Sequence, residues 1–222
     1  MVFLEPYIDP RVQQAFVAGA VVAVGWMVNG RQNRRARLRQ REERLRDVHR
    51  ALYAEIASYL ENLQSEEALL AYRDQMLAHM RENPGFIPLI PTEQNDTIFR
   101  TILPEIHILP RTSIDPVVAY YNQLFAIESL VTDMRGDGFK ELDHERRAAM
   151  YSDYIALKTQ ALADGNYALK MITAFAEGGR AKARDQEVRV ATEVKALSKE
   201  ESQKKPSEIN TPDVDPSGPS RE

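Results

Sequence analysis

Residues 11–30 read RVQQAFVAGAVVAVGWMVNG and residues 31–50 read RQNRRARLRQREERLRDVHR. The chemistry changes at Gly30. From Ala15 to Val28 no side chain is polar, and only Gln13, Gln14 and Asn29, all uncharged, interrupt the apolar character between Val12 and Gly30. A bare fourteen-residue apolar run suits a buried core helix or a signal-peptide core. The wider window, wound as a helix at 1.5 Å per residue, measures about 30 Å, the thickness of a bilayer's hydrocarbon layer. Asp9 before Pro10 supplies an N-cap followed by proline at the first helical position, where the missing N–H costs nothing. Tyr7 and Trp26 sit near the two ends, at the depth where amphipathic rings favour headgroups. The stretch predicts a single transmembrane helix over 11–30. No Lys or Arg precedes Arg11 and no small-x-small site follows Trp26, so cleavage as a signal peptide is not expected.

The second half sets the direction. Nine arginines between 31 and 50 face only Glu42, Glu43 and Asp47, a net charge of +6. Cationic side chains beside a span stay on the cytoplasmic side, which predicts residues 1–10 outside and everything after Gly30 inside a bacterial inner (plasma) membrane. Arg31, Arg34, Arg35, Arg37, Arg39 and Arg41, with Trp26 and Tyr7, are the candidate membrane-anchoring residues. Anionic headgroups attract each such charge by roughly 1 kcal/mol. The span itself is weakly apolar, because Val, Phe and Met favour the bilayer by only about 0.3–0.6 kcal/mol each and Ala and Gly add little. Ala15, Gly19 and Ala23 recur every four residues, and small residues at that spacing let two spans approach closely. They are the candidate self-association face of a homo-oligomer.

The whole chain of 222 residues carries 29 basic and 33 acidic groups, a net of -4, and no cysteine. Without cysteine there is no disulfide scaffold, thiolate zinc site or cysteine nucleophile. Residues 51–179 hold ten basic against nineteen acidic groups, so the arginine segment stands between an apolar N-terminus and an acidic body. An arginine-rich nucleic-acid arm is the competing reading of 31–46. The segment lacks interleaved aromatics for base stacking and abuts the apolar run, so nucleic acid is the less favoured partner.

The body reads as helix. Leu38, Leu45, Val48, Leu52, Ile56, Tyr59 and Leu63 follow heptad-type spacing, and no Pro or Gly occurs between Arg31 and Asn83. One helix, continuous with the span, is predicted as far as about residue 81, its stripe from Leu38 to Leu63 available for coiled-coil self-pairing. Asn83-Pro84-Gly85 stops it. Prolines 84, 88, 91, 104, 110 and 116 then divide a segment too apolar to stay solvated, which predicts a connector folded on the bundle or a groove for a partner peptide. Asp96 is the expected cap of a short helix over 97–103. Ser113 and Asp115 before Pro116 signal the next start. Its apolar period runs from Val117 to Met134 and ends at Gly136-Asp137-Gly138. A helix from about Phe139 to Ala176 follows, with Asp164-Gly165-Asn166 as a break and Gly178-Gly179 as its end. The reading is all-α: an antiparallel helical bundle over 51–179, a charged helix over 180–201 and a disordered tail over 202–222.

The stretches LRDVHRALYAEIASYLENL, IFRTILPEIHILP and VVAYYNQLFAIESL resemble a broad set of uncharacterised bacterial and prophage-type proteins. Those combine one N-terminal transmembrane span with a cytoplasmic helical domain. The resemblance covers about residues 12–135 and implies that architecture, with no activity and no site residues.

No catalytic, metal or cofactor site is read from the chain. Histidines 49, 79, 107 and 144 are scattered without ligand spacing, and Gly136-x-Gly138 lacks a dinucleotide fingerprint's third glycine. Glu128 with Asp133, and Asp143 with Glu145, do not converge at helical spacing. Two functions are expected in order: a single-pass membrane-anchored scaffold or protein-interaction module, with a protein partner the sequence does not identify; or a soluble nucleic-acid-binding or phage-structural protein using 31–46.

Overall fold

The computed structural model describes the backbone of residues 10–204, and side chains chiefly over 24–196. Tyr7 and the tail beyond 204 lie outside the described residues. So do the side chains of Ala15 and Ala23, although both positions are helical. Every element described is a helix: α1 (Pro10–Leu63), α2 (Glu66–Glu82), α3 (Thr97–Ile102) with a 3₁₀ turn (Leu103–Ile108), α4 (Arg111–Arg135), α5 (Asp137–Glu141) and α6 (His144–Lys204). The all-α reading stands. Among the described residues no helix is long and apolar enough to cross a membrane.

The helix predicted to run unbroken to residue 81 is broken at Gln64, whose φ of 63° is left-handed. Its N–H bonds back to the Leu60 and Glu61 carbonyls, closing α1. Ser65 then caps α2, its hydroxyl accepting from the Ala68 N–H at 3.2 Å, with Glu66 and Glu67 in the positive first turn. The chain does not reverse there. Leu60 of α1 lies against Gly165 of α6, while farther along Arg147 of α6 donates to the Pro84 carbonyl just past α2. The pair α1–α2 therefore continues in one direction along an antiparallel α6. Alpha helix α4, antiparallel to α6 as well, packs through Tyr120 against Gly165 and through Gln123, which donates to the Leu157 carbonyl at 3.0 Å.

Between them, Leu52, Ile56, Tyr59, Val117, Tyr120, Tyr121, Ile155, Ala161, Ala168 and Ile172 form one core. Its stripe starts at Val48, and Leu38 is 62% exposed. From Val48 to Leu63 the heptad face is spent on the chain's own bundle, so the expected self-pairing through Leu38–Leu63 is corrected. Burying one such side chain stabilises by about 1.5–3 kcal/mol, which an intermolecular pairing would forfeit.

Three boundaries also move. Helix α4 starts at Arg111, five residues before Pro116, which stands inside it. Ser113 is no N-cap: it is fully buried, and its hydroxyl donates to the Pro110 carbonyl at 3.2 Å. The helix foreseen from Phe139 begins as the single turn α5 and restarts at His144, where the Asp143 carboxylate accepts the Arg146 N–H at 2.8 Å. The break foreseen at Asp164-Gly165-Asn166 is absent, and helix runs through it. A Cβ on Gly165 would lie 2.7 Å from Leu60 Cδ2 and 3.0 Å from Tyr120 Cε2, so glycine there serves close packing.

The helix does break at Gly178 and Gly179, the latter at φ 63° and ψ −152°, a region only glycine occupies readily. Past it, Ala183 packs on Met171 and Ala174, and Glu187 stands near Tyr167. The arm 180–204 therefore turns back along α6, and its helix continues two residues beyond the position where the tail was expected to begin.

Candidate functional site

The connector 83–110 travels the length of the bundle, from the Pro84 end back to the end where α1 enters. Polar side chains fasten it at each stage. Arg135 donates to the Ile90 carbonyl at 2.7 Å, and Lys158 donates to Glu93 at 2.7 Å. Glu55 accepts the Ile98 and Phe99 N–H groups at 2.6 and 3.0 Å, capping α3 from outside, and the Tyr121 hydroxyl at 2.6 Å. Asp96 precedes α3 as expected but makes no cap bond, pairing instead with Arg100 at 2.5 Å. Phe99 stacks on Tyr121 at 3.9 Å between ring centroids. Arg44 closes the far end with two 2.6 Å bonds to Glu105.

A cleft of about 640 Å³ lies beside the connector, lined by residues 91–96 and Arg100 on one side and by Phe125, Glu128, Tyr59 and Tyr154 on the other. Its charges are satisfied internally. Arg100 holds Asp96, reaches Glu128 at 3.4 Å and lies over the Phe125 ring. Burial would lower the Lys158 pKa, but hydrogen bonds to Glu93 and Tyr154 outweigh it and raise it. Burial, then Glu93, pushes the Tyr59 hydroxyl well up. Both shifts keep Lys158 charged and Tyr59 neutral at neutral pH, which suits a structural clasp.

The arginine segment is different. Helix α1 leaves the bundle beyond Leu45, and every side chain described from Val24 to Arg44 is exposed, Trp26 at 81%. Arg31, Arg34, Arg35, Arg37, Arg39 and Arg41 make no ion pair among the described residues; only Arg44 does, to Glu105. At about 100° per residue these six fan over more than half the helix circumference. They make a broad basic fan, the collar, on a protruding rod. Gly19 is exposed, with nothing within 4 Å of where a Cβ would stand.

At the collar's base lies a group the sequence did not single out. His49 is 4% exposed, its Nε2 2.9 Å from the Ser113 hydroxyl and its ring centroid 5.2 Å from that of Phe175. Desolvation lowers its pKa to about 4, so the ring is neutral. Its spacing from Leu45 and Leu52 on the core stripe was the only signal available. Searches against protein-family models, curated proteins and solved structures return no match to this chain.

Proposed function

We propose that the protein is a membrane-anchored helical scaffold, its bundle held at the inner face of a bacterial membrane by the segment 11–30 and the arginine collar. The observation that carries this is the bare arm: one helix leaves a packed bundle and leaves Val24, Trp26, Met27 and Val28 exposed, with guanidinium groups between these and the bundle. Apolar side chains left in water along a lone helix are costly, and a lipid environment removes that cost while headgroups meet the charges. Most side chains of 11–23 lie outside the described residues, so the span rests on composition. On this reading the bundle faces the cytoplasm with the connector clasped along it.

Fractionation of cells producing the full chain tests the anchor. The chain should sediment with membranes, resist carbonate and expose only its N-terminus to external protease. Recovery in the soluble fraction overturns the proposal. Sedimentation that is reversed by nuclease, with steeply salt-dependent binding to duplex DNA, supports the arginine segment as a nucleic-acid arm instead.

A further inference from the structure

We propose that the groove between α1 and α6 at the collar end binds a single-chain anionic amphiphile, its alkyl chain along Leu45, Tyr53, Ile172 and Phe175 and its headgroup on Arg46 and Arg50. The groove is an open trough of about 610 Å³, lined from Glu42 to Tyr53 on α1 and from Ile172 to Gly179 on α6. That volume is within the usual range for a small-molecule site. Its length along α1 is about 16 Å at 1.5 Å per residue, an extended medium-length alkyl chain. The walls are aliphatic and aromatic, and the floor is the neutral His49 ring packed on Phe175. The Phe175 ring and the aliphatic side chains beside it favour a hydrocarbon over a polar headgroup there.

The rim supplies the charge selection. Arg46 and Arg50 form no ion pair among the described residues, in contrast to Arg100 and Lys158 in the connector cleft. Glu42 sits one turn before Arg46, leaving the rim net positive, and a carboxylate or phosphate on two guanidinium groups gains charge-assisted bonds. A two-chain lipid is too bulky for one groove of this size. The mouth opens about 18 Å beyond Gly30 along α1, farther than a bilayer lipid reaches without leaving its layer. A single-chain amphiphile is soluble enough to make that journey. The source of the ligand rests on the membrane reading; the groove and its charges do not.

The test uses the full chain in neutral phosphatidylcholine nanodiscs, titrated with dodecyl phosphate and read by native mass spectrometry of the released protein. One adduct per chain, saturating, is expected. Ala176→Trp fills the exposed mouth and should abolish the adduct, while Arg46→Gln with Arg50→Gln should weaken it roughly tenfold to a hundredfold. Arg37→Gln with Arg39→Gln, on the collar, should leave it unchanged. Circular-dichroism melting verifies the fold of each variant, and Thr173→Trp replaces Ala176→Trp if that one melts early. No saturating adduct, an adduct indifferent to the Trp, or equal loss in the collar variant overturns the inference. So does a photo-cross-linker at Thr173 that captures a second copy or any other protein. If carbonate releases the chain, the same titration in plain buffer still decides the groove.

Discussion

The Glu55 carboxylate accepts two backbone N–H groups at the start of α3 and the Tyr121 hydroxyl, so one side chain of α1 ties the connector and α4 together. Removing it orphans three donors in a half-buried place, and each orphan costs about 1–3 kcal/mol, partly relieved by water. Glu55→Ala should lower unfolding free energy by about 3 kcal/mol in urea titration, and Tyr121→Phe by about 1 kcal/mol. His49 carries the opposite kind of constraint. Its pKa falls from 6.5 in the unfolded chain to about 4 in the fold, so the fold favours the neutral ring. That stabilisation is complete above pH 6.5 and is lost as pH falls from 6.5 through 4. At about 1.4 kcal/mol per unit it amounts to about 3.5 kcal/mol in all, of which about 2–3 kcal/mol falls between pH 7.5 and 4.5. Urea midpoints at pH 7.5 and 4.5 should therefore differ less in His49→Asn than in the parent, the carboxylates being common to both. An equal difference would mean the ring is solvated in the fold.

Helices announced themselves through period, and their ends through a few polar residues read with mixed success. Pro84 and Gly136 end helices as their chemistry requires, but the α1–α2 break has neither Gly nor Pro. It is marked only by Ser65-Glu66-Glu67, a capping signal hidden because the apolar stripe resumes in nearly the same direction. Pro116 misled because it stands in the second turn of α4, where it removes the bond to the Thr112 carbonyl without ending the helix, and buried Ser113 spends its hydroxyl on Pro110. Gly165 resembled a break, yet its neighbour across the core is Leu60, a contact no local pattern discloses. The polar staples of the connector were illegible for the same reason: Lys158 and Glu93 lie 65 residues apart. Gly178-Gly179 was legible as an end but not as a reversal. Gly179→Ala places a Cβ in a conformation that costs about 1–3 kcal/mol. Hydrogen exchange at 180–190 should accelerate roughly tenfold or more in that variant, while exchange in α4 and in 150–170 stays as in the parent. Uniform acceleration would show that the returning arm is integral to the core.

Seen as a whole, the molecule is polarised. The collar, the His49 pocket, the start of α4 and the α6 reversal gather at one end, while Pro84, Gly136 and Leu142 mark the other. Nine arginines at the first end are balanced by an acidic body, so the charge asymmetry runs along the bundle axis. In the proposed orientation that axis stands on the membrane with its positive end against anionic headgroups, and repulsion keeps the acidic body off the surface. The collar then does two separable things. On the proposed reading the guanidinium groups decide which end stays behind and add attraction to anionic headgroups, while the apolar residues of 11–30 partition into lipid whatever their direction. Replacing Arg31, Arg34, Arg35, Arg37, Arg39 and Arg41 by Gln removes six charges worth about 1 kcal/mol each at an anionic surface, less with salt. Arg44, Arg46 and Arg50 remain, so the bias should weaken without reversing. A periplasm-active phosphatase fused after Glu222 should be silent in the parent and gain partial activity in the variant, with membrane recovery nearly unchanged. If the fusion stays silent with all six arginines gone, the collar does not set orientation. If membrane recovery collapses instead, the arginines rather than the apolar stretch hold the protein at the bilayer, and the segment 11–30 is no span.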